Sequence, residues 1–218
     1  MSRLVTFGCS LTYGSALENP NDAWPKQLAS KWNLDLVNMG ISGISTKRIW
    51  WEIINFEFEK TDTVIVLWTH MDRWGILKED GDHFQWDIPG KIIWYPSMPP
   101  VPPLEKKTAE AYYKYLHDDF DMLTQYLCYV NQAHEHMKPL VEQQYHVRAS
   151  QQDLTLPFNR VNFLPIDFQY AQTNFPLATD DCHPGKEGYA WFVEKIDECV
   201  NRKGVRWKIN TPVNKESI

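Results

Sequence analysis

The chain has no long apolar run, no excess of positive charge and no closely paired cysteines, and each absence narrows what it can be. No uninterrupted apolar stretch approaches the roughly 20 residues of a membrane-crossing helix, so no membrane partner is expected. The amino terminus enters a strand-like run at Leu4 with no basic segment before it and no longer apolar segment behind it. A cleaved leader is therefore not expected, and the reading is of a cytoplasmic protein. Lys and Arg number 22 against 28 Asp and Glu, a formal net charge of −6. That balance argues against a nucleic-acid or anionic-membrane partner, which would need a basic patch. Cys9, Cys128, Cys182 and Cys199 are scattered, with no Cys-x-x-Cys spacing. They read as reduced thiols rather than a disulfide frame or a zinc site, with a redox role for Cys9 and Cys182 as the lesser alternative. No repeat or low-complexity segment is present.

What remains is a chain suited to one domain: 218 residues, 43% hydrophobic and 14% aromatic. Ten tryptophans are many for this length, and some are expected to line a surface or cleft. Residues 1–202 read as one domain, interrupted at about 75–105 by an aromatic and proline-rich insertion and followed by a polar tail at 203–218.

Along the chain, Leu4–Phe7 reads as a first strand. A helix follows from about Trp24 to Trp32, with Asp22 as a candidate cap and Pro25 tolerable in the first turn. Leu34–Asn38 is a short second strand, and Met39–Ser45 is a glycine-punctuated loop. Ser45 or Thr46 can cap a helix carrying Ile49, Ile53 and Phe56 at helical spacing. Thr63–Trp68 is a continuous run of the kind found in strands covered on both faces. This alternation of strand and helix predicts an α/β fold with a parallel sheet and right-handed crossovers. Ligands in such sheets bind beyond the carboxyl ends of the strands. Ser10, the Gly40–Gly43 loop and Thr69–Arg73 all follow strand ends and are expected to meet there.

The insertion, with Trp86, Trp94, Tyr95 and a run of prolines, reads either as a lid or wall or as a packed loop or contact surface. Lys106 to about Met137 reads as one long helix with Tyr112, Tyr115, Leu116, Phe120, Leu123, Leu127 and Val130 in a buried stripe. His134 and His136, two apart, diverge on a helix and read as solvated, not as a metal pair. Lys138–Asn159 is polar and shows little period. Val161–Leu164 is a late strand, and Gly185–Arg202 is a last helix with Trp191, Phe192, Ile196 and Val200 on its apolar side.

Two short segments carry candidate chemistry. Phe7-Gly8-Cys9-Ser10-Leu11 places a serine just past the first strand, behind a glycine that lets the backbone turn. A serine hydroxyl is a weak nucleophile without a base. Asp180-Asp181-Cys182-His183-Pro184-Gly185 supplies a carboxylate three residues before an imidazole, a side chain that titrates near neutrality and suits proton exchange. Asp180 is preferred over Asp181 as the orienting acid. Cys9 is a minor alternative to Ser10 as nucleophile. Together these give the nucleophile, base and acid of an acyl-transfer triad, which is defined by geometry and not by chain order.

The same segments resemble the SGNH hydrolases, also called the GDSL esterase/lipase family. Gly8-Cys9-Ser10-Leu11 is similar to the first block, with Cys9 where Asp is usual. Asn38-Met39-Gly40-Ile41-Ser42-Gly43 looks like the second, and Asp180-x-x-His183-Pro184-Gly185-x-x-Gly188 like the last. The resemblance runs from Leu4 to about Ile196, with the middle unmatched. The third block departs: Met71 lies where the family has an oxyanion-binding Asn, and a thioether cannot donate a hydrogen bond. The form Trp68-Thr69-x-x-x-Arg73 is similar to a divergent branch common in bacteriophage and marine microbial sequences, which implies virion association if the gene is a phage's.

The resemblance implies a three-layer α/β/α sandwich of flavodoxin-like topology. It also implies a serine ester hydrolase needing no metal or organic cofactor, acting on a small acyl ester such as an acetyl ester on carbohydrate. Ser10, Asp180 and His183 would form the triad. Gly43 would help hold the oxyanion, with Thr69, His70 or Arg73 in place of the missing Asn. The alternative is a non-catalytic carbohydrate-binding or virion-associated module on the same scaffold.

Overall fold

The computed structural model describes residues 2–71, 73–77, 83–86, 103–149 and 158–201. Strand β1 (Arg3–Gly8) is buried from Leu4 onward and runs directly into a single-turn helix, α1 (Ser10–Tyr13). Helix α2 (Trp24–Trp32) carries Pro25 in its first turn. Asp22 does not cap it; it ends a preceding 3-10 turn at Pro20–Asp22, and the N-cap position falls to Ala23. Strand β2 (Asp35–Gly40) extends to Gly40, two residues past the Asn38 end that the sequence predicts. Helix α3 (Thr46–Ile54) is capped by Ser45, whose side chain accepts the Arg48 N–H at 3.3 Å.

Strand β3 (Thr63–Trp68) is buried from Val64 to Trp68, as a run covered on both faces should be. After it, β4 (Trp74–Leu77) and β5 (His83–Trp86) pair antiparallel as a separate hairpin. Trp94, Tyr95 and the insertion's prolines up to Pro102 lie outside the described residues, as does the tail from residue 202.

The expected single helix over 106–137 is two helices, α4 (Pro103–Tyr115) and α5 (Asp119–Met137). Asp118 makes the break: its carboxylate accepts the N–H groups of Phe120 and Asp121, each at 3.0 Å, and starts α5 afresh. Tyr115, Leu116 and Phe120, assigned to a buried stripe, are therefore exposed at the corner.

The stretch with little period contains strand β6 (Gln143–Arg148), and the late strand is β7 (Phe163–Asp167). Helix α6 (Phe168–Asn174) follows at once, and α7 (Lys186–Asn201) closes the fold, burying Tyr189, Phe192, Val193 and Ile196. Trp191 and Val200 are only partly covered.

The strands form one parallel sheet in the order β2-β1-β3-β6-β7. Counted along this sheet, that is the doubly wound order in which direction reverses between β1 and β3. Helix α3 packs with α5, and α7 packs with α2 and α6, giving an α/β/α sandwich.

His146 explains why β6 can be buried despite its polar sequence. The Trp68 Nε1–H donates to His146 Nδ1 at 3.0 Å, and the two rings stack. An indole N–H only donates, so the imidazole proton sits on Nε2, which faces His134 Nδ1 at 3.3 Å and Gln144 Oε1 at 3.2 Å. Burial, and then the neighbouring His134 charge, push His146 down to about 3. His134 is consequently a half-buried partner of this network and not the solvated residue that the sequence predicts; burial lowers its pKa as well.

Candidate active site

Ser10 is the first residue of α1, directly beyond the carboxyl end of β1. The turn is tight because Gly8 has no side chain. A Cβ there would lie 2.1 Å from the Thr12 hydroxyl and 2.8 Å from the Leu67 carbonyl. The Ser10 side chain is nearly covered, at 8% exposure, and its hydroxyl points to Cys9 Sγ at 4.0 Å. Buried Cys9 thus sits against the serine.

The second segment closes over this turn through named bonds. Asn38 accepts from Thr6 Oγ1 at 3.1 Å and donates to the Thr12 carbonyl at 3.1 Å, locking β2 to α1. Ile41 N–H donates to the Gly8 carbonyl at 3.0 Å, and Ser15 Oγ donates to Ser42 Oγ at 3.1 Å. Gly43 then adopts φ 75°, a left-handed conformation that a side chain would strain. The third segment joins from β3: Arg73 Nη1 donates to the Ile44 carbonyl at 3.4 Å, and its backbone N–H closes a turn on the His70 carbonyl at 3.3 Å. Thr69 is buried, and its hydroxyl has no hydrogen-bond partner among the described residues. Met71 packs against the core. The three strand-end segments meet as the topology requires.

Asp180 and His183 form a self-contained loop. Asp180 Oδ1 accepts the N–H groups of Cys182 at 3.1 Å and His183 at 3.0 Å, while Oδ2 accepts the His183 Nδ1 proton at 2.5 Å. Burial pushes the Asp180 carboxyl up. The backbone N–H, side-chain bond and charge of His183, with the Cys182 N–H, outweigh that and hold it below the usual carboxylate range. Asp181 is exposed, with left-handed backbone at φ 54°, and its side chain takes no part in this set. With Nδ1 engaged by Asp180, any proton exchange by the His183 ring would go through Nε2.

The loop is fixed to the serine turn. Thr179 Oγ1 donates to the Ala16 carbonyl at 3.0 Å, and Gly185 N–H donates to the Pro176 carbonyl at 2.8 Å. Buried Tyr189 lies within electrostatic reach of both Cys9 and Asp180. Burial first, then those two groups, push its phenol far up.

Sequence reasoning missed a pocket that shares Met71 and Arg73 with the segment after β3. Lys47, Gln125, Tyr126 and Tyr129 line it with Thr46, Met71 and Arg73. Among the described residues there is no group of three or more His, Cys, Asp or Glu able to hold a metal ion, and no helix is long and apolar enough to cross a membrane.

The sequence matches no family model and no curated protein. Solved structures do match over nearly the whole chain. An alpha/beta hydrolase from the metagenome of Lake Arreo, Spain, superposes with a TM-score of 0.51 at 16% identity, covering 91% of this chain and 94% of its own. A member of the lipolytic protein G-D-S-L family from Veillonella parvula gives 0.50 at 13% identity, covering 93% and 100%. A catalytic mutant of an acetylxylan esterase from Geobacillus stearothermophilus gives 0.50 at 16%, covering 91% and 94%. At these identities the likeness is one of fold, and the fold is that of the SGNH, or GDSL, hydrolases.

Proposed function

We propose that the protein is an SGNH-type serine ester hydrolase acting on a small acyl ester, such as an acetyl ester on carbohydrate. The observation that carries this reading is the Asp180–His183 hydrogen bond in a loop tied to the Ser10 turn, at the sheet's reversal point. Ser10 Oγ attacks the acyl carbonyl carbon as His183 Nε2 takes its proton. The same proton passes to the alcohol oxygen as the ester bond breaks. Water, deprotonated by His183, then attacks the acyl-enzyme and releases the acid, restoring Ser10. Asp180 holds the productive tautomer and stabilises the imidazolium.

The oxyanion is held by the N–H groups of Ser10 and Gly43, with the buried Thr69 hydroxyl as the donor that replaces the family's Asn. His70 and Arg73 border the same segment. One oxyanion donor is worth about a hundred- to thousandfold in turnover, roughly 3–4 kcal/mol, so the substitution matters. The acetylxylan esterase likeness favours an acetylated carbohydrate among ester substrates. Purified protein is expected to hydrolyse p-nitrophenyl acetate, with the activity lost in Ser10→Ala. No turnover in the wild type, or an unchanged rate in that variant, would remove the esterase reading and leave the carbohydrate-binding or virion-associated module.

A further inference from the structure

Between α3, α5 and the start of β4 lies a narrow pocket whose polar groups have one chemistry in common. Its lining includes Thr46 and Lys47 from the first turn of α3, Arg73 from the segment after β3, and Gln125, Tyr126 and Tyr129 from α5. About 20 Å³ is open to the centre of a water-sized sphere, room for a carboxylate group and too little for a sugar ring. Lys47 is half-buried, and it makes no hydrogen bond or ion pair among the described residues. Burial lowers the pKa of its ammonium, and among the described residues no carboxylate opposes that. A half-buried ammonium is costly unless something anionic pairs with it.

Two independent features point the same way. The Thr46 hydroxyl is buried, at 4% exposure, lines the pocket and has no partner among the described residues. Helix α3 also turns its N-terminal end to the pocket, and a helix N-terminus favours negative charge. Burial raises the phenols of Tyr126 and Tyr129, so both stay protonated and able to donate. Gln125 Nε2 donates to the exposed Asp121 carboxylate.

We propose that this pocket receives a carboxylate belonging to the ester substrate, held by Lys47, the Thr46 hydroxyl and the α3 N-terminus. The site is therefore selective for acidic esters such as acetylated uronic acids. This rests on the esterase reading for the word substrate, while the pocket's chemistry stands apart from turnover.

The experiment has two arms. In the first, formate at constant ionic strength against chloride raises the unfolding temperature of the wild type and not of Lys47→Met or Thr46→Val. This arm needs no hydrolysis, so it separates failure of the pocket from failure of the esterase reading. In the second, kcat/KM is compared for acetylated glucuronate against its methyl ester, and for p-nitrophenyl hemisuccinate against its methyl ester. At least one acid is expected to be preferred by about tenfold, the effect of one partly buried charge pair, with the preference lost in Lys47→Met. A formate response surviving in folded Lys47→Met and Thr46→Val overturns the site. A formate response that depends on Lys47, with neither acid preferred, overturns its assignment to the substrate.

Discussion

On the wall of the site that carries His183, both Asp180 carboxylate oxygens are hydrogen-bonded, whereas the wall at the end of β3 keeps the Thr69 hydroxyl buried without a partner among the described residues. The first wall is built from four consecutive residues: Asp180 spends one oxygen on two backbone N–H groups and the other on the imidazole. Its geometry is local and survives wherever the loop is anchored. The second wall depends on β3, the Gly43 loop and α3 being packed correctly, and it carries a buried hydroxyl that a ligand oxygen would satisfy. On the proposed mechanism, proton transfer is thus prepared within the chain, while stabilisation of developing charge waits for substrate.

Mutations can break or sharpen this contrast. On the prepared wall, His183→Ala is expected to lower kcat by about a thousandfold or more, measured with p-nitrophenyl acetate. Asp180→Asn keeps an oxygen for the backbone N–H groups but loses the charge that sets the tautomer; a comparable fall in kcat is expected. Asp181→Asn should change it less than about twofold, since a surface change away from these bonds has little effect.

The waiting wall responds in a different pattern. Thr69→Val should lower kcat by about a hundredfold, the low end for an oxyanion donor, with KM little changed and the unfolding temperature equal or higher. If Thr69 were merely an unsatisfied core hydroxyl, stability would rise and kcat would stay. Met71→Asn restores the donor type that the family resemblance leads one to expect. It should raise kcat if the new amide reaches the oxyanion, at a packing cost of about 1–3 kcal/mol from burying a polar group, read by chemical denaturation.

The smallest expected effects concern pH, and two windows separate. His146 has a folded pKa pushed below its ordinary 6.5 to about 3. The unfolded chain therefore binds the extra proton first, and stability is lost progressively as pH falls from about 6.5 toward 3. His146→Asn, which keeps an acceptor for the Trp68 N–H, should flatten that decline. Asp180, held below the usual carboxylate value, contributes stability that is complete above about pH 4 and disappears as pH falls through its lowered pKa. Asp180→Asn should lower the unfolding midpoint above about pH 4 and flatten only the acid end of the profile. Unfolding midpoints between pH 7 and 3 read both.

Much of the sheet was legible in the sequence because its information is local. Thr63–Trp68 is apolar enough to announce a strand covered on both faces, and Ser45 caps α3 three residues before the Arg48 N–H it binds. The Asp180–His183 pairing was legible for the same reason, lying within four residues. What was hidden depends on distant partners. Gln143–Arg148 is polar with little period, and only Trp68 and His134 make His146 acceptable in the interior. The break at Asp118 was obscured by apolar residues on both sides, and the cap outweighed that continuity. The pocket around Lys47 assembles α3, α5 and the β3–β4 connection, and no period or motif in any one of them signals it.

The central claim is that Ser10 is a nucleophile activated by His183. A fluorophosphonate probe followed by peptide mass spectrometry tests it most directly. The account predicts one covalent adduct, on Ser10, formed rapidly in the wild type and at least about a hundredfold more slowly in folded His183→Ala. An unlabelled Ser10, an adduct on Cys9, or equal labelling rates in the two proteins would contradict it.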